Sequence, residues 1–100
     1  MPASDHSLLV AMAFAEKREG GAFVVPRILG GSGDYTINWA YWRPDVLFEE
    51  GLVSLGEQKF IELLPGAYNL MLHVRDKKTG IVKLYESMAF IKGGEQIAVA

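Results

Sequence analysis

Glycine interrupts this chain so often that long helices have little room. Pairs stand at Gly20-Gly21, Gly30-Gly31 and Gly93-Gly94, with single glycines at Gly33, Gly51, Gly56, Gly66 and Gly80. Glycine weakens the interior of a helix or strand and adopts the positive φ of tight turns, so each of these residues marks a turn. The segments between them are short. That spacing predicts an all-β sandwich or barrel rather than helices joined by loops.

The segments support the same reading. From Asp34 to Trp42, Tyr35, Ile37, Trp39 and Tyr41 share one face, and Thr36, Asn38, Ala40 and Trp42 share the other. Alternation with aromatic and β-branched residues is the signal of a half-buried strand. Arg43-Pro44 ends it, because proline lacks the donor a ladder needs. From Ala67 to Asp76, Tyr68, Leu70, Leu72 and Val74 alternate with Asn69, Met71, His73 and Arg75. Residues 76–80 then read as a hairpin loop, and Ile81 to Lys92 as the returning strand. The apolar phase of that last run changes along its length, which predicts a bulge near Glu86-Ser87.

Ala22 to Leu29 reads as a strand whose Pro26 predicts an edge position or a bulge. Gln58 to Leu64 reads as a strand with one wetter face. Val46 to Phe48 and Leu52 to Leu55 read as a minor strand or loop. Residues 7–17 fit two states. They alternate as a strand buried on both faces, and they also make a helix capped by Ser4 or Asp5 and stopped by Gly20. The all-β character of the rest leans towards strand. No repeat or linker divides the chain, so residues 1–100 read as one domain.

Composition narrows the function classes. Half the residues are hydrophobic and 22% are charged, which excludes a disordered chain. Ten basic residues against twelve acidic ones give a net charge of −2, with no basic excess to suggest nucleic acid. No apolar run is long enough to span a bilayer, so no membrane insertion is expected. The first six residues do not read as a secretory signal, which leaves localisation open. The chain has no cysteine, which excludes disulfides, thiolate metal sites and a cysteine nucleophile.

Two stretches resemble a known family. Gly30-Gly31-Ser32-Gly33-Asp34-Tyr35-Thr36-Ile37-Asn38-Trp39 is similar to the glycine turn and Trp-bearing strand of PKD-type immunoglobulin-like domains, which include repeats of bacterial surface adhesins. Leu64-Pro65-Gly66-Ala67-Tyr68-Asn69-Leu70, followed by Val74-Arg75-Asp76, resembles their Pro-Gly turn, tyrosine and hairpin-opening aspartate. The family's usual Asp-Phe-Gly-Asp-Gly run is absent, and Ala40 to Asp45 take its place. The resemblance implies an immunoglobulin-like β-sandwich of about seven antiparallel strands. Trp39 would then lie between the sheets, and Tyr68 would form a tyrosine corner.

No catalytic constellation emerges. His6 and His73 are the only imidazoles, and Gly31-Ser32-Gly33 is a turn rather than a nucleophile elbow. No His-x-His or Glu-x-x-His spacing offers a metal site. Asp34, Asp45 and Asp76 lie near loop ends, where calcium ligation competes with the commoner role of aspartate in turns. No cofactor is expected.

If Trp39 is buried, alternation turns Trp42, Met71 and His73 the other way. Trp42 reads either as a contact residue or as a ring tucked under the loop at Pro44. In the tail, Gly93-Gly94 precedes Ile97 and Val99, so residues 93–100 read as an edge or exchanged strand. Trp42, Met71, His73, Ile97 and Val99 are thus the candidate partner-binding residues. The expected function is a non-catalytic protein–protein interaction or structural module, an accessory or decoration-type component of a larger assembly, with a protein partner or self-association. The alternative is a carbohydrate-binding module using Trp42, Tyr41 and Tyr85.

Overall fold

The computed structural model describes residues 7–94 of the chain. Seven strands form in order: β1 (Leu8–Glu16), β2 (Ala22–Gly30), β3 (Tyr35–Trp42), β4 (Val53–Glu57), β5 (Ile61–Leu63), β6 (Gly66–Asp76) and β7 (Val82–Ile91). A single helical turn, α1 (Phe48–Gly51), lies between β3 and β4. All pairings are antiparallel. One sheet has the order β1-β2-β5 and the other β4-β3-β6-β7. The fold is an immunoglobulin-like β-sandwich in which the fourth strand joins the third.

The strand reading of residues 7–17 holds, but burial on both faces does not. Leu8 is buried, whereas Leu9 is 64% exposed. Among the described residues the fold has two sheets, and no third layer covers the outer face of β1.

Pro26 is accommodated by a local edge. At the hairpin end, Lys17 N–H donates to Gly21 O and Gly20 N–H donates to Lys17 O, each at 2.9 Å. Alternation then directs the odd residues of β1 at β2 and the even ones away from it. Met12 stands opposite Pro26, so the proline nitrogen also faces away from β1. On that side β5 pairs only Ala22 to Val24. No ladder bond is lost, and no bulge is needed.

The expected bulge in the last strand is absent. β7 pairs with β6 from Val82 to Ile91 without a break. Val82, Leu84, Met88 and Phe90 share one phase with Glu86 and face outward, while Ala89 and Ile91 are buried. The phase change was apparent only on the assumption that every apolar residue faces the core. The ladder does shift register between Trp39 and Ala40 of β3, opposite β4.

The core fills the space between the sheets. Leu8, Ala22, Val24, Ile61 and Leu63 come from one sheet, and Trp39, Tyr68, Leu70, Leu72 and Val74 from the other. Each fully buried Leu or Val contributes about 1.5–3 kcal/mol. Trp39 is 1% exposed, and its Nε1–H donates to Gln58 O at 2.8 Å. Tyr68 is buried, and its hydroxyl donates to Leu64 O at 2.6 Å across the β5–β6 corner. Its ring lies edge-on to Tyr41 with centroids 5.2 Å apart, and the Arg43 guanidinium caps it at 4.4 Å. Gly66, at φ +146°, leaves room for that arginine: a Cβ there would meet Arg43 Nη1 at 2.3 Å.

Candidate functional site

Antiparallel pairing builds the outer face of the four-stranded sheet in rows. Trp42, Asn69 and Met88 form one row, Ala40, Met71 and Glu86 the next, and Asn38, His73 and Leu84 a third. Phe90 extends the surface beside Ala67. The structure therefore brings Trp42, Met71 and His73 onto one face. Trp42 is partly exposed there, and His73 is exposed. Ile97 and Val99 lie outside the described residues.

The residues that dominate this face were missed in the sequence. Met88 is 62% exposed and Phe90 76%, and Leu84 and Val82 stand open beside them. One signal was available: residues 82, 84, 86, 88 and 90 fall in a single alternating phase. With Trp42 and Met71 they form an apolar strip at the β7 margin, interrupted by Glu86.

The other sheet has an apolar outer face as well. Leu9 stands opposite Leu29, and both are largely exposed. Phe23 and Phe60 meet edge to face at 5.8 Å. Lys17 places its ammonium 5.1 Å from the Phe23 ring centre and pairs with Glu62. That ion pair keeps charge at one end of the surface.

The loop-end aspartates have structural partners. Asp76 is fully buried where the Gly30–Gly33 turn meets the β6–β7 hairpin. Ser32 Oγ donates to its Oδ1 at 2.6 Å, and Ser32 N–H donates to its Oδ2 at 2.7 Å. Lys78 N–H and Thr79 N–H donate to Oδ1 at 2.9 and 3.1 Å. The Ser32 hydroxyl holds the carboxyl well below the usual aspartate range, burial opposes it, and the backbone amides of Ser32, Thr79 and Lys78 reinforce it. Gly31 packs against this carboxylate, since a Cβ there would lie 2.6 Å from Oδ2. The same Ser32 oxygen accepts from Asp34 N–H at 3.2 Å. Asp34 lies 3.8 Å from the Lys77 ammonium, and Asp45 is exposed in the β3–α1 loop. Among the described residues, no group of three or more His, Cys, Asp or Glu is placed to hold a metal.

The three aromatics of the carbohydrate reading do not share a face. Tyr41 and Tyr85 pack against the core, while Trp42 lies on the outer side. No helix among the described residues is long and apolar enough to cross a membrane. Comparison with protein families, curated proteins and solved structures finds no match to this chain.

Proposed function

We propose that the protein is a non-catalytic protein–protein interaction or structural module, an accessory component of a larger assembly. The observation behind this reading is the apolar strip on the outer face of the four-stranded sheet, with Met88 and Phe90 more than half exposed. Exposed apolar area gains nothing for an isolated domain and is what an interface buries. Trp42 and Met71 lie on the same face, and aromatic residues and methionine are enriched at interface centres. Asp76 and Ser32 bond to each other and to the backbone, which fits a scaffold. Kinship with PKD-type domains is part of this proposal and rests on the segments Gly30–Trp39 and Leu64–Asp76.

The test is the double variant Met88→Lys/Phe90→Lys. It should fold with stability within about 1 kcal/mol of wild type, twice the usual surface tolerance. It should lose the partner that the unaltered chain retains in affinity purification from its natural source. Global unfolding of the double variant would make this face part of the core. Retention of every partner, or glycan binding that survives the substitutions, would overturn the reading.

A further inference from the structure

We infer that the outer face of the four-stranded sheet docks on the outer face of the three-stranded sheet of a second copy of this chain, with Glu86 of one copy set against Arg27 of the other. The inference rests on the reading of the first face as an interface and names what covers it.

The two faces carry the same pattern with opposite charge. Along β7, Leu84, Glu86 and Met88 alternate outward, and Phe90 follows in the same phase. Along β2, Leu29, Arg27 and Val25 alternate outward, and Phe23 follows in the same phase. Each charged residue has an apolar neighbour on both sides, about 7 Å away along the strand. Across the ladder, Glu86 stands opposite Met71 and Arg27 opposite Ala11. Both charged side chains are exposed. Among the described residues, neither has an ion pair or a side-chain hydrogen bond.

This combination limits the partner. Covering either face with a purely apolar surface would strip water from an unpaired charge, which is costly. A partner must therefore bring the opposite charge at the centre of its own apolar patch. Lys17, at the end of the three-stranded face, is already paired with Glu62, whereas Arg27 is not. A second copy supplies Glu86 with apolar residues on both sides of it.

The strands also match in register. With β7 antiparallel to the second copy's β2 and Glu86 over Arg27, Leu84 meets Leu29, Met88 meets Val25 and Phe90 meets Phe23. Sheets packed face to face stand about 10 Å apart with their strands within about 30° of alignment. The overlap is about 25 Å long and roughly 12 Å wide, which covers about 600 Å² over the two copies. That is the area of a weak contact, so association is expected at high protein concentration. The charge pair fixes register and partner more than affinity. The contact is heterologous, and the two faces lie on opposite sides of the sandwich. Each pair therefore keeps one face of each kind open, and addition continues as a linear stack.

Charge reversal tests this. In sedimentation, the unaltered full chain should associate in a concentration-dependent way. Glu86→Arg and Arg27→Glu should each raise the dissociation constant at least tenfold, because each sets like charges together. An equimolar mixture of the two variants should associate as the unaltered chain does, since each offers the charge the other lacks. The double variant Glu86→Arg/Arg27→Glu should likewise associate with itself. Both residues are exposed, so thermal unfolding of each variant should stay near that of wild type. A monomer at millimolar concentration, folded single variants that associate like wild type, or a mixture that does not recover association would overturn the inference. If the unaltered chain is monomeric while Met88→Lys/Phe90→Lys loses its natural partner, the stack is overturned and the function proposed above stands.

Discussion

The two faces of the four-stranded sheet come from the same strands and the same alternation, yet they differ in how their residues are held. On the inner face, Trp39 and Tyr68 are buried and donate to backbone carbonyls at Gln58 and Leu64. On the outer face, Met88, Phe90 and Leu84 are as apolar but have no layer above them. Apolar character therefore does not distinguish core from exposed outer face in this molecule. The distinction lies in contacts at the ends of the sandwich: the two fully buried aromatics, Trp39 and Tyr68, each have a backbone acceptor there, at Gln58 and Leu64. A buried ring with a polar atom needs such a partner, because an unmet donor costs about 1–3 kcal/mol.

Substitutions on the two faces should separate accordingly. The largest effect is expected at Trp39. Trp39→Ala should lower stability by about 3–5 kcal/mol, as for a buried aromatic. A urea midpoint near that of wild type would undo the assignment of inner and outer faces.

Asp76, at the end of the inner face, should show its effect through pH. Its carboxyl titrates lower in the folded state than in the unfolded chain, where aspartate titrates near ~3.9. Its contribution is complete above that value and is lost as pH falls towards the folded one. Asp76→Asn should be less stable than wild type at neutral pH, and the gap should narrow on acidification below about pH 4. A gap that stays constant across this range in calorimetry would separate the aspartate's role from its charge.

A smaller effect is expected at the tyrosine corner. Tyr68→Phe keeps the ring under Arg43 and loses the bond to Leu64 O. The cost should be about 1 kcal/mol in chemical denaturation. No loss would show that ring packing alone holds the β5–β6 corner. The smallest effect belongs to the outer face, where Met88→Ala should change stability by no more than about 0.5 kcal/mol. A loss comparable to that at Trp39 would place Met88 in a core.

Much of the inner face was legible in the sequence. The alternation around Trp39, the Pro65-Gly66 turn before Tyr68 and the Asp76 hairpin each follow from local chemistry that the structure repeats. The paired strands of the two longest hairpins fell close to their observed limits. The outer face was legible only in part. Trp42, Met71 and His73 follow from turning Trp39 inward, but Val82, Leu84, Met88 and Phe90 do not. Alternation assigns residues to a face without saying which face is covered. Covering depends on how many layers the chain builds, and with two sheets the outer face of the β4-β3-β6-β7 sheet stays open. β1 shows the same limit: its two apolar faces suggest double burial, and only the two-sheet architecture shows that one is open. The short β4 and the helical turn at Phe48–Gly51 lack a periodic signal, because each is too brief to complete one.

Acrylamide quenching of the two tryptophans, one at a time, tests the inner–outer distinction most directly. They are three residues apart on β3 and face opposite ways. In Trp42→Phe, the remaining Trp39 should emit at short wavelength and resist quenching, as a ring 1% exposed must. In Trp39→Phe, the remaining Trp42 should emit further to the red and quench several-fold more strongly. Equal quenching of the two, or a Trp42 better shielded than Trp39, would contradict a sandwich with its core on one side of β3 and an open face on the other.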